Sequence, residues 1–279
     1  MTAPLRSRWN GAFAGSVQVG NRGLHYGDGV FRTMLLHGGA IVTADAQIER
    51  LTADAAALGL DAPSREFLLA ELAAVADLDE AILKLMLIRT DTGRGYPPRT
   101  HRADLLLLAY PPPDWPASHA IDGIAAIRSP VTMASQPLLA GIKHLNRLEQ
   151  VLASRDWPAD VDEALLADEH GNPVCGTRSN LFWVSNGRLY TPALDRCGVA
   201  GLTRAQVLAL AAQLGIDCTI ASQPWTALQS ADEAFLCNSL IGIWPLRRLD
   251  DHLYPVDRPI TRRLQTALVH PLAHPFRGV

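Results

Sequence analysis

The run Tyr110-Pro111-Pro112-Pro113-Asp114-Trp115-Pro116 constrains this chain more than any other feature. Consecutive prolines fix φ and lack amide donors, which excludes helix and central strand and imposes an extended, stiff connector. At 279 residues there is enough chain for a core on each side of it. The expected division is a small N-terminal α+β domain over residues 1–112 and a larger domain over 117–279.

Ahead of the connector, a turn-rich opening leads to an apolar strand around Val30–Leu36. Two helical patterns follow at Asp45–Leu58 and Ser64–Asp77. In the first, Ile48, Leu51, Ala55 and Leu58 recur at three- and four-residue spacing, giving one buried stripe. Ser64 stands where an N-cap belongs. Strands at Ile82–Arg89 and Leu105–Tyr110 complete this half. Beyond the connector, Gly123–Arg128 reads as a strand and Leu145–Arg155 as a short helix. Strands at Glu163–Ala167 and Leu181–Val184 are joined by the turn-prone Asp168-Glu169-His170-Gly171-Asn172. Asn186-Gly187 signals a hairpin, because a type I′ turn needs positive φ at both central residues. A helix runs from Leu202 to about Leu214, and strands follow at Glu233–Cys237 and Ile241–Leu246. Without regular βαβ alternation, a doubly wound sheet is a poor fit.

Composition narrows the function classes. Hydrophobic residues make up 48% and charged residues 19%, the balance of an ordinary globular protein. A net charge of −3 offers no basic footprint for nucleic acid or an anionic membrane. Arg247–Arg248 and Arg262–Arg263 read as solvated faces. No stretch approaches the roughly 20 apolar residues that span a bilayer. Met1–Asn10 lacks the apolar run and cleavage site of a signal peptide, so a cytoplasmic protein is expected. Cys175, Cys197, Cys218 and Cys237 lack C-x-x-C spacing and read as reduced thiols. The nine histidines show no metal-ligand spacing, so no metal is expected.

Several segments could carry chemistry. Gly198-Val199-Ala200-Gly201-Leu202-Thr203-Arg204 places two glycines before a helical run, where free N–H groups and the helix dipole face an anion. Read alone it is equally a glycine-rich strand-to-helix turn. Lys143 lies between Ala140-Gly141-Ile142 and His144-Leu145-Asn146. Desolvation there would lower its pKa, as an imine-forming amine requires; read alone, a lone lysine is a surface charge.

These segments fall into a pattern. Arg22-Gly23-Leu24-His25-Tyr26-Gly27-Asp28-Gly29-Val30-Phe31 resembles the opening signature of the fold type IV pyridoxal-phosphate enzymes, relatives of the branched-chain aminotransferases. Ser179-Asn180-Leu181-Phe182, Tyr190-Thr191-Pro192 and Gly198–Arg204 match later signatures of that family in order. Within the family, Gly93-Arg94-Gly95-Tyr96, the run Leu139–Gln150 around Lys143, and Ala231-Asp232-Glu233 through Cys237-Asn238 are similar to the bacterial aminodeoxychorismate lyases. The likeness extends from about Asn21 to Pro245. Asn21 departs from the family's usual aspartate.

The resemblance implies a two-domain α+β fold, a small domain followed by a larger pseudo-barrel that binds the cofactor, pyridoxal 5′-phosphate, at a site between the two. It implies a homodimer. It assigns Lys143 as the lysine that forms the internal aldimine and Arg50 as the phosphate-binding arginine. Leu202 and Thr203 become the backbone amides of the phosphate cup, with Asn238 and Ser239 closing its other side. Cys175 falls where the family carries a glutamate that keeps the pyridine nitrogen protonated, and a thiol weakens that electron sink. The implied reaction converts 4-amino-4-deoxychorismate to 4-aminobenzoate and pyruvate, a step toward folate. Its dicarboxylate substrate calls for arginines, with Arg94 first and Arg32 and Arg178 behind it. Two other readings stay open: a D-amino-acid or branched-chain aminotransferase, and a catalytically lapsed binding relative.

Overall fold

The computed structural model describes residues 3–91 and 93–271. Its contacts divide the chain into two units, Met1–Asp114 with Ile142–Asn146, and Trp115–Gly141 with Arg147–Val279. A cut at the prolines alone assigns Lys143 to the second unit; by its contacts Lys143 is part of the first.

The first unit is a six-stranded antiparallel sheet of β1 (Arg6–Trp9), β2 (Ala12–Phe13), β3 (Gly29–His37), β4 (Ala40–Ile41), β5 (Ala81–Arg89) and β6 (Ala103–Tyr110), in the order β2-β1-β6-β5-β3-β4. Period-two alternation sends Val30, Met34, Leu83, Leu85, Leu87, Leu105 and Leu107 to one face. Helices α2 (Ala44–Ala57) and α3 (Arg65–Ala73) cover that face through Ile48, Leu51, Ala55, Leu68 and Leu72. The stripe expected on α2 is the one buried. Ser64 caps α3, its Oγ accepting the Phe67 amide at 3.2 Å. The helix expected to reach Asp77 stops at Ala73, and a 3₁₀ turn follows over Ala76–Leu78.

The β1–β2 hairpin was not expected from the sequence, because Arg6 and Arg8 make β1 look polar. Both heads are neutralised on α3 and the turn after it, Arg8 by Glu71 and Arg6 by Asp77. Asn10 and Gly11, with φ of 47° and 90°, form the turn. They carry the same signal as Asn186-Gly187, whose φ values are 50° and 74° in the two-residue turn pairing Ser185 with Arg188.

Helix α1 (Arg22–Tyr26) is capped by Asn21, whose Oδ1 accepts the Leu24 amide. Just beyond it, Asp28 Oδ2 accepts from Arg22 Nε at 2.8 Å and Arg89 Nε at 2.9 Å. Arg22 also donates to the Gly95 and Tyr96 carbonyls, and Arg89 to those of Leu58, Gly59 and Thr100. One carboxylate thus ties the opening signature to β5 and to the loop carrying Arg94.

The second unit contains β7 (Ile124–Thr132), β8 (Glu163–Ala167), β9 (Pro173–Gly176), β10 (Asn180–Ser185), β11 (Arg188–Thr191), β12 (Cys218–Ile220), β13 (Glu233–Asn238), β14 (Gly242–Leu249) and β15 (His252–Leu253). Six of them close a ring, β10-β13-β14-β7-β8-β9, completed where Asn180 on β10 pairs with Cys175 on β9. This is the pseudo-barrel. The helices are α4 (Ser118–Ile121), α5 (Leu148–Ala153), α6 (Leu202–Gln213), α7 (Trp225–Gln229) and α8 (Pro259–Ala267). Phe182, Val184, Phe235 and Ile243 pack with Val207 and Ala211 of α6 and Leu264 of α8. Alternate residues Leu181, Trp183, Leu236 and Trp244 pack with Ala120 of α4 and Leu228 of α7.

Two expectations change here. Strand β9 lies between the strands expected to be joined directly, hidden from sequence reading by the proline that starts it. Helix α5 begins at Leu148 rather than Leu145, because Leu145 donates its amide to the Gly29 carbonyl.

Asp28→Ala would strand two buried guanidinium groups, whose side chains are 4% and 5% exposed. Removing one partner of such a cluster costs about 3–5 kcal/mol. Urea unfolding should register a loss of that order; a change under about 1 kcal/mol would show the clamp to be dispensable.

Candidate active site

Lys143 is placed by its backbone. Residues 143–145 form a strip that pairs with β3: the Phe31 amide donates to the Lys143 carbonyl at 2.9 Å, and Val30 bridges His144. The Lys143 amide donates to Asp54 Oδ2 on α2 at 3.1 Å. The strip ends at Asn146, whose Nδ2 donates to the Gly27 carbonyl at 3.3 Å. Gly27 has φ of 62°, which favours glycine, and a Cβ there would fall 2.5 Å from Asn146 Oδ1 and displace that amide. The Lys143 Nζ lies 4.5 Å from the centre of the Phe31 ring.

Lys84, which sequence reading passed over, lies against the same ring. It and Lys143 are the only lysines of the sequence. Its Nζ is 4.9 Å from the Phe31 centre, and burial lowers its pKa. Strand β3 runs between β5 and the Lys143 strip, so the two amines reach Phe31 from its two neighbouring strands.

Arg50 is on α2, one turn before Asp54, with its Nε 3.2 Å from Asp54 Oδ1 in an ion pair. Arg32 does not fit the substrate role expected of it. Its side chain is 3% exposed, on the core face of β3, and its guanidinium is hydrogen-bonded to Asp54. Burial lowers its pKa to about 10, so it is still charged at neutral pH. Asp54, which sequence reading did not single out, joins Arg32, Arg50 and the Lys143 amide. Arg94 is exposed, in the loop held by Arg22 through Gly95 and Tyr96.

The second unit carries the glycine cup. Gly201 precedes α6 with no side chain capping the helix, so no cap competes for the first-turn amides of Leu202 and Thr203. Asn180 shapes the turn, accepting from the Gly201 amide at 3.2 Å and donating to the Val199 carbonyl at 2.8 Å. A Cβ on Gly201 would overlap Asn180 Oδ1. Arg204 turns away to bond Thr191 Oγ1 and the Pro192 carbonyl. Asn238 spends its side chain on the β13–β14 turn, its Oδ1 accepting the Leu240 and Ile241 amides and its Nδ2 donating to the Arg178 carbonyl. Ser239 follows it in that turn and accepts from His270 through its carbonyl. Arg178 is half exposed and donates to the Asp162 carbonyl.

Cys175 is buried beside Met133, Leu166, Val174 and Cys197. Burial pushes its thiol up to about 12, so it is neutral at physiological pH and cannot act as an anion. The nearby buried carboxylate, Glu163, is occupied by the Thr177 amide and by the hydroxyls of Thr177 and Ser179.

In the second unit an uncapped 12-residue helix behind a tight glycine turn suits a dianionic phosphate; in the first, a lysine held by its backbone suits a carbonyl. Among the described residues, no group of three or more His, Cys, Asp or Glu side chains could hold a metal, and no helix is long and apolar enough to cross a membrane.

Comparison with known proteins agrees. The sequence model of the family described as amino-transferase class IV matches residues 29–249. The aminodeoxychorismate lyase of Vibrio harveyi is 33% identical over 92% of this chain and 97% of its own. A putative branched-chain-amino-acid aminotransferase of Methanocaldococcus jannaschii is 34% identical over 84% of this chain and 83% of its own. The crystal structure of 4-amino-4-deoxychorismate lyase from Pseudomonas aeruginosa is 40% identical and superposes with a TM-score of 0.88, covering 93% of this chain and 97% of that one. The chain belongs to the class IV aminotransferase family, the fold type IV enzymes whose cofactor is pyridoxal 5′-phosphate.

Proposed function

We propose that this enzyme converts 4-amino-4-deoxychorismate to 4-aminobenzoate and pyruvate. The observation that carries the reading is the strip around Lys143. Its lyase-like residues Lys143 to Asn146 are the ones whose backbone and side chains dock on β3 and Gly27.

When bound, pyridoxal phosphate supplies a carbonyl for the substrate amine and a ring that delocalises electrons released at the amine-bearing carbon. Lys143 would hold the cofactor, and its Nζ would serve as the base that takes the proton from that carbon. The same Nζ can return the proton to the departing enolpyruvyl group. Arg50, the amides of Leu202 and Thr203, and the Asn238-Ser239 turn are the groups that would hold the phosphate. Arg94 and Lys84 are the cations we assign to the substrate's carboxylates, Lys84 taking the place expected of Arg32. Arg178 is the weaker candidate, since it already braces the Asp162 carbonyl.

Cys175 favours elimination over transamination. An aminotransferase must stabilise a carbanion with no internal outlet, whereas loss of enolpyruvate creates an aromatic ring. A neutral thiol where the family carries a glutamate is therefore tolerable for the lyase and a handicap for the transferase. The second reading, an aminotransferase, rests on the kinship with such enzymes at comparable identity. We also propose a homodimer, which would cover Phe13, Val19, Leu24 and Tyr96, all large and two-thirds or more exposed in the first unit.

Incubation with 4-amino-4-deoxychorismate should yield 4-aminobenzoate, and Lys143→Ala should reduce that turnover by several orders of magnitude while the protein stays folded. Absence of product from the wild type, with a 2-oxo acid accepted instead, would favour the transferase. Cys175→Ala should alter lyase turnover by less than about tenfold, or about 1.4 kcal/mol. Cys175→Glu should raise side transamination more than it raises the lyase rate. A collapse of lyase activity in Cys175→Ala would contradict the argument from aromatisation.

A further inference from the structure

We propose that Asp54 is a positioning residue that sets Arg50 and the Lys143 backbone in one frame, with Arg32 as its counter-charge. The inference rests on the reading of Arg50 as a phosphate ligand.

Asp54 is 3% exposed, and its two oxygens divide their partners. Oδ2 accepts from Arg32 and from the Lys143 amide, while Oδ1 faces Arg50 Nε at 3.2 Å. The three partners come from β3, from the Lys143 strip and from α2 itself, so one carboxylate joins three segments separate in sequence.

Fold stability does not call for this cluster. A buried ion pair contributes little net stability, and apolar residues of similar volume often replace it without loss. What apolar residues cannot do is orient a guanidinium and accept a backbone amide. Arg50 has several rotatable bonds, and its ion pair with Asp54 restricts them before phosphate binds. Two guanidinium groups around one carboxylate also leave the cluster with one net positive charge, which suits an incoming phosphate.

The test is the pyridoxal-phosphate dissociation constant, measured by absorbance on diluting the holoenzyme. Arg50→Ala should weaken it by tenfold or more, and Asp54→Asn by about tenfold. The combined Arg50→Ala/Asp54→Asn protein should lose clearly less than the product of the two, because Asp54 acts largely through Arg50. Arg32→Met/Asp54→Leu removes both buried charges; it should keep the wild-type urea midpoint and still bind the cofactor about tenfold more weakly. Wild-type affinity in the Asp54 variants, with affinity lost in Arg50→Ala, overturns the proposal, as do fully multiplicative losses in the combined protein. Failure of Arg32→Met/Asp54→Leu to fold also overturns it, by showing the cluster to be a requirement of the fold. If Arg50→Ala itself binds normally, the phosphate reading of Arg50 is the part that fails.

Discussion

Pairing of the strip at Lys143 with the edge of β3 is the interaction on which the first unit's chemistry depends. Lysine is a flexible side chain, and its usefulness as a nucleophile and base depends on where its backbone is held; a misplacement of about 1 Å can cost 10²-fold in rate. Here the amide on one side is held by Asp54 and the carbonyl on the other by Phe31. Gly27 leaves room for the strip to end at Asn146. The opening glycine signature and the lysine run, more than a hundred residues apart, are therefore two halves of one joint.

The second unit solves a different problem. A phosphate needs amides that are unsatisfied yet rigid, and the uncapped start of α6 supplies them only because Asn180 ties down the preceding turn. Asn180 is also the residue whose pairing with Cys175 closes the barrel. Barrel closure and cup geometry thus share a residue, which accounts for an asparagine at the start of a buried strand. Cys175, across that pair, is a packed and neutral thiol.

Much of this was legible in the sequence where a local rule governs. The stripe on α2, the Ser64 cap and the Asn186-Gly187 turn depend on neighbours a few residues away, and each formed as expected. What was hidden depends on distant partners. Arg32 looked available for substrate because its partner Asp54 is 22 residues away on α2. Asp54 itself looked like an ordinary acid on an amphipathic helix. Lys84 sat in an apolar strand with nothing to mark it, and the helix expected from Leu145 lost its first turn to pairing with Gly29. Asn10-Gly11 was a readable signal, obscured by the arginines of β1 whose charges are neutralised on and just after α3.

The central claim is that Lys143, and not the other half-buried amine beside Phe31, carries the cofactor. Because the sequence contains just two lysines, reduction of the holoenzyme with borohydride followed by peptide mapping separates them without ambiguity. The phosphopyridoxyl group should be found on the peptide containing Lys143, at about one per chain, with Lys84 unmodified. Label on Lys84, or none on Lys143, would contradict the account.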